Sequence, residues 1–191
     1  MVARRPSLFR EGYGYNEYRK EVDMQYFKMK EFECRCWCGM PEEAKVNIEA
    51  MVSNVLDPVR AKFGKPIKVN SGYRCKKHNA EVGGSPRSQH MCQGGSAAAD
   101  ICAEPRGYTN MTDWKQANME IAGLIVKNGK FDQIILENVG ANDLKPKWVH
   151  VSFNRNMNRG QVLKKVAGQK GYAALTADEI SKLLGGGFRA K

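Results

Sequence analysis

The chain contains three histidines, His78, His90 and His150, and two of them stand in settings suited to metal ligation. His90 lies in Ser88-Gln89-His90, within a Gly-rich loop. His150 occupies Trp148-Val149-His150-Val151-Ser152-Phe153, where alternation puts Trp148, His150 and Ser152 on one face of a strand. Between them, Asp100 closes the run Ala97-Ala98-Ala99-Asp100 ahead of Ile101, an acid among small apolar residues where a buried strand is expected. An unpaired buried carboxylate is costly, so Asp100 calls for a cation or strong donors. Two imidazoles and one carboxylate supply three ligands for a tetrahedral zinc and leave a fourth position for water. Taken singly, each residue has a plainer reading. A strand histidine can be a hydrogen-bonded core residue, and an Asp after an Ala run can be a cap or turn residue.

Six cysteines, Cys34, Cys36, Cys38, Cys75, Cys92 and Cys102, form the other reactive set. Their even number suggests disulfides, but the chain is not short and shows no secretory signal, so they read as mostly reduced. Cys34-x-Cys36-x-Cys38 could be half of a structural zinc site. Its one-residue spacing is not the usual two-residue knuckle, however, and no second Cys/His pair repeats it. The expectation for this stretch is alternating cysteines on a short strand.

These side chains need a scaffold, and 191 residues with 42% apolar content suffice for one domain with a sizeable core. The balance of 31 Lys+Arg against 20 Asp+Glu gives a net charge of +11 and an attraction to polyanions. The basic residues are spread out, the densest runs being Arg4-Arg5 and Lys164-Lys165, which argues for a general electrostatic bias rather than a dedicated nucleic-acid groove. No helix-turn-helix, finger or aromatic-basic strand motif supports specific nucleic-acid binding. No stretch approaches the roughly 18 apolar residues of a membrane span. The N-terminal residues lack the apolar run of a secretory signal, so the expectation is synthesis in the cytoplasm without an export signal.

Residues 1–26 are polar and read as an irregular arm, and residues 27–40 as a lead-in packed on the core through Phe27, Met29 and Phe32. Pro41-Glu42-Glu43 opens a helix whose apolar positions run from Ile48 to Phe63 at spacings of three and four. Asp57-Pro58 falls inside it and predicts a kink or restart. A strand over 66–70 leads into Ser71-Gly72-Tyr73-Arg74; a short helix over 75–82 and a Gly-rich loop over 85–96 follow. Ala97–Cys102 reads as a buried strand, 112–128 as a second long helix, and Phe131–Asn138 with Lys147–Phe153 as a hairpin. Helices and strands are segregated, which predicts an α+β fold with a mostly antiparallel sheet flanked by helices. The tail, 154–191, holds a basic stretch and a short helix opened by the capping box Thr176-Ala177-Asp178-Glu179; it reads as an extension packed on the same domain as 27–153.

The ordered series Ser71-Gly72-Tyr73-Arg74, His78-Asn79, Val82-Gly83-Gly84, Ser88-Gln89-His90, Ala98-Ala99-Asp100-Ile101 and Trp148-Val149-His150-Val151-Ser152 resembles the M15 zinc peptidase family, which includes D-Ala-D-Ala carboxypeptidases and phage L-alanyl-D-glutamate endolysins. The resemblance runs from about Phe27 to Phe153. Phe131-Asp132-Gln133-Ile134 is similar to a form associated with phages and prophages.

The resemblance implies a hedgehog/DD-peptidase type of α+β fold and a Zn2+ ion bound by His90, Asp100 and His150. It further implies that Arg74 contacts the substrate's carbonyl oxygen or carboxylate, and that Ser88 and Gln89 line the cleft. The implied substrate is a peptide of peptidoglycan, cut as a carboxypeptidase or an endopeptidase, at the cell wall after release or as part of a phage particle. A structural salt bridge is the plainer role for Arg74. Two features depart from the family pattern. His90 and Asp100 are ten positions apart rather than seven, through Met91-Cys92-Gln93-Gly94-Gly95-Ser96, and Cys92 in that insertion is an alternative ligand. Lys147 stands where many relatives carry the catalytic acid; Glu137 is the best substitute as general base, with Asp143 second. A surface charge on an edge strand is the plainer role for Glu137. The competing function is a non-catalytic, zinc-bearing structural or wall-binding protein, possible as a component of a phage particle.

Overall fold

The computed structural model describes residues 24–185. Most of the arm expected over residues 1–26, and the last residues of the tail, lie outside the described residues. The described chain forms a six-stranded sheet with its long helices packed on one face.

The first long helix is interrupted but not broken. α1 (Glu42–Met51) passes through a single wide turn, Val52–Leu56, of the π type into α2 (Asp57–Phe63). Pro58 has no N–H to give to Asn54 and its ring would press on that carbonyl, so the helix widens one turn early. The backbone N–H of Asp57 bonds to Val52, and the orphaned Asn54 oxygen accepts the Asn128 side-chain amide at 2.9 Å. The carboxylate of Asp57 accepts the backbone N–H groups of Gln25 and Tyr26, which ties down the start of the described chain.

Strands β1 (Ile67–Ser71), β2 (Ser96–Ala103), β3 (Gln133–Val139), β4 (Trp148–Asn154), β5 (Gln161–Val166) and β6 (Ala173–Ala174) lie in the order β1-β2-β4-β3-β5-β6. Every neighbouring pair is antiparallel except β3 with β5. The hairpin β3–β4 is present as expected, whereas β5 and β6 fall in the tail, where only a basic stretch and a helix were expected. That helix, α5 (Ala177–Leu183), carries the capping box of Thr176 and Glu179.

Alternation along the strands sorts the two faces of the sheet. Ala97, Ala99, Ile101 and Ala103 of β2, Ile134 and Leu136 of β3, and Val149, Val151 and Phe153 of β4 belong to the core under α1, α2 and α4 (Met111–Asn128). The small β2 side chains suit close approach of the helices. Asn118 of α4 is fully buried, accepts the Ala103 N–H and donates to the carbonyl oxygens of Pro146 and Lys147, fixing the approach to β4. The intervening residues, Ala98, Asp100, His150, Ser152, Ile135 and Glu137, point to the opposite face, where the loop after β1 and α3 (Lys76–Glu81) lies.

Candidate active site

Register brings the candidate ligands together. Asp100 of β2 is paired with His150 of β4, and Ile135 of β3 flanks His150 on its other side. His90 arrives from the loop as part of a short 3-10 turn, Gln89–Met91, whose first N–H groups are capped by Ser88. The three extra residues between His90 and Asp100 are absorbed by Gly94 and Gly95, both with positive φ, and by Cys92 in the left-handed region. Cys92 turns into the core, where its thiol meets the His90 carbonyl oxygen and not the ligand group. His78, on α3, faces Glu81 instead.

The atoms His90 Nε2, His150 Nδ1 and Asp100 Oδ1 form a small triangle: 3.2 Å between the nitrogens, 3.3 Å from His90 to Asp100 and 3.0 Å from His150 to Asp100. Ligands at 2.0–2.1 Å from a tetrahedral zinc are separated by about 3.3 Å, so the triangle has the size of one face of that tetrahedron. Proton accounting points the same way. His90 Nδ1 lies 2.8 Å from the carbonyl oxygen of Gly72, which can only accept; the proton therefore sits on Nδ1 and Nε2 presents a lone pair. Burial lowers the pKa of His150, against the opposing pull of Asp100, and favours a neutral ring. Burial would raise the pKa of Asp100, but hydrogen bonds from His150 and His90 outweigh it and keep the carboxyl ionised, far below the usual range. Three acceptors with at most one proton between them converge on one point. The donor set fits a divalent cation.

Arg74 occupies the other side of Asp100. One Nη donates to Asp100 Oδ2 and Nε donates to Ser71 Oγ at 2.9 Å, which leaves Oδ1 to the imidazoles. Its backbone N–H donates to the His90 carbonyl oxygen at 2.7 Å. The ion pair set out above as the plainer role is thus present, and Arg74 also lines the cleft in front of the triangle.

That cleft encloses about 510 Å³ and is lined by Arg74, Ser88, Gln89, Glu137, Trp148 and Arg159, among others. Glu137 is half-buried on β3, an interior strand, so the edge-strand role does not apply. Burial and the nearby Asp100 charge raise its pKa, with His150 opposing. Asp143 accepts the Lys145 N–H in the turn and lines a separate cleft with Leu144 and Lys164; it does not face the triangle. Lys147 is exposed, and its backbone N–H donates to the Glu137 carbonyl oxygen.

Sequence reasoning missed Arg159. The loop from β4 to β5 crosses the start of β3, and there the Arg159 guanidinium grips Asp132 through Nε at 2.9 Å and Nη2 at 2.6 Å. Asp132 also accepts the Gln89 side-chain amide at 2.7 Å, so the loop carrying His90 is tied to β3. The available signal was Asp132 itself, a buried acid beside Phe131 that needed a donor. Tyr172, also from the tail, lines the cleft.

A family model described as peptidase M15 matches residues 25–132, more than half of the chain. The match includes Arg74, Ser88, Gln89, His90 and Asp100 and stops before β3. No curated protein matches the chain.

Proposed function

The chain belongs to the peptidase M15 family, whose members are zinc-dependent peptidases, and on that premise we propose that it hydrolyses peptide bonds in bacterial peptidoglycan, with His90, Asp100 and His150 holding the zinc. The observation that carries this reading is the convergence of three ligand atoms within 3.0–3.3 Å of one another at the floor of an open cleft. When bound, zinc supplies Lewis acidity that polarises a carbonyl and acidifies water.

The side chains divide the remaining work. His90 is oriented by the Gly72 carbonyl oxygen and Asp100 by Arg74, so both offer a single defined atom to the metal. Glu137 takes the proton of the attacking water on its carboxylate and delivers it to the leaving amine; its raised pKa suits both halves of that transfer. Among the described residues Arg74 Nη1 has no hydrogen-bond partner and is available to the developing oxyanion. Ser88 and Gln89 shape the cleft wall beside the scissile bond.

Digestion of purified peptidoglycan, followed by mass spectrometry of the soluble products, tests the proposal. The mass released identifies the bond and separates carboxypeptidase from endopeptidase action. Intact wall peptides after incubation with fully zinc-loaded protein would reject hydrolysis and favour the binding alternative.

A further inference from the structure

Three of the six cysteines lie within five residues, and the expectation was a short strand. The structure has no strand there. Cys34 follows the 3-10 turn Met29–Phe32, and the chain then coils through Cys36 and Cys38 with Trp37 at φ 56° and Gly39 at φ 77°. A left-handed conformation is strained for a bulky residue. Trp37 is 78% exposed, so no packing of its ring offsets that strain. What the turn achieves is to bring Cys34, Cys36 and Cys38 to the same side.

A fourth sulfur meets them. Cys75, which opens α3, lies with Cys34, Cys36 and Cys38 in a group whose sulfurs are all within 4.8 Å of one another. Cys36 Sγ is 3.1 Å from Cys34 Sγ and 3.4 Å from Cys75 Sγ. A disulfide joins sulfurs one to one. Here one sulfur has two near neighbours and all four surround a common centre. Thiolates at about 2.3 Å from a tetrahedral zinc lie about 3.8 Å apart, which matches the scale of this cluster.

We propose that Cys34, Cys36, Cys38 and Cys75 form a second, structural zinc site, separate from the His90–Asp100–His150 triangle. Binding converts four thiols to thiolates and releases four protons to solvent, leaving a centre of net charge −2. Backbone N–H groups are already directed at the sulfurs: Cys75 N to Cys34 Sγ at 3.5 Å and His78 N to Cys75 Sγ at 3.4 Å. All four positions are closed by protein sulfur, the arrangement of a structural rather than a catalytic zinc.

The place of the site gives it a purpose. Phe32 and Gly72-Tyr73 are in close contact, with the Tyr73 N–H on the Phe32 carbonyl oxygen at 2.8 Å. Zinc at Cys34 and Cys75 would close the two strands of chain just beyond that contact and anchor Arg74, the neighbour of Cys75.

Zinc measured by mass spectrometry on the purified full chain, beside a Cys36→Ser/Cys38→Ser variant and a His90→Ala/His150→Ala variant, tests it. Both cysteines are exposed, so serine removes ligands without opening a cavity. The expected contents are two zinc ions per chain for the unmodified protein and one for each variant. Loss of zinc from the cysteine variant alone would uphold this site and reject the catalytic one. Cobalt loading gives an independent reading: sulfur-to-cobalt charge-transfer absorption should appear in the unmodified protein and in the histidine variant. Equal zinc in the unmodified and cysteine-variant proteins without that absorption would overturn the proposal. So would iron in place of zinc, or disulfides among the four.

Discussion

The carbonyl oxygen of Gly72 lies 2.8 Å from Nδ1 of His90, and this contact decides which nitrogen of the ring faces Asp100 and His150. Gly72 can reach that position only because it has no side chain. A Cβ there would stand 2.6 Å from the Phe32 Cα and 2.8 Å from its carbonyl oxygen.

Gly72→Ala therefore forces either the Phe32 segment or the Gly72 carbonyl to move. Overpacking of this kind costs about 1–3 kcal/mol, and loss of an orienting hydrogen bond lowers metal affinity by about 10–100-fold. Zinc titration of the variant against a competing chelator should show the affinity loss. Unchanged affinity would mean that His90 does not rely on Gly72 for its orientation.

Glu137→Gln separates metal binding from proton transfer. The variant should retain zinc at the triangle and lose about 10²–10⁴-fold in kcat. The pH dependence follows from the raised pKa. As the proposed base, Glu137 works only when ionised, so activity falls as pH falls through its pKa. Stability runs the opposite way. Between 4.5 and the raised value the folded state holds more protons than the unfolded one, so stability declines as pH rises through that window. Glutamine, which never ionises, escapes the decline, and thermal melts of the metal-free proteins at pH 7 should place the variant above the parent.

The α+β class and the main strands were legible because alternation and three-to-four spacing are local signals. Trp148–Phe153 showed its faces in the sequence, one of them carrying His150, whereas Ala97–Cys102 was legible only as a buried strand that holds Asp100. That the two residues stand opposite each other was not legible as geometry, because it depends on β4 lying between β2 and β3. β5 escaped notice because Gln161–Val166 contains no fully buried residue and two adjacent lysines, so its alternation is weak. Arg159 escaped for a different reason: its partner Asp132 is 27 positions away and only the crossing loop brings them together. Likewise Cys75 is 41 positions from Cys34, and no local spacing rule announces the pair.

Asp132→Asn should uncouple the tail from the site. The Asp132 side chain is 4% exposed and that of Arg159 50%. Removing the charge from a wholly buried pair costs about 3–5 kcal/mol, and solvent at Arg159 reduces this to about 2 kcal/mol. Burial alone would raise the Asp132 pKa, yet Arg159 and Gln89 pull it below 3.8. The carboxylate's contribution is thus present above that unfolded-state value and is lost as pH falls through the folded one. Denaturant melts of parent and variant should differ at pH 7 and converge in strong acid. A constant difference across pH would assign the loss to packing instead.

The charge of +11 makes a prediction about substrate form rather than about the triangle. Arg74, Arg87 and Arg159 line the cleft, but most of the excess is spread over the chain, and on the proposed function its effect is to raise the local concentration of the protein near an anionic wall. Such attraction acts over the Debye length, about 10 Å at 0.1 M salt and about 3 Å at 1 M. Raising salt across that range should slow digestion of intact sacculi severalfold. It should leave turnover of a short soluble wall peptide nearly unchanged, because the ion pair of Arg74 with Asp100 is mostly buried and poorly screened. Equal salt sensitivity on both substrates would place the effect inside the cleft and remove any role for the surface charge in reaching the wall.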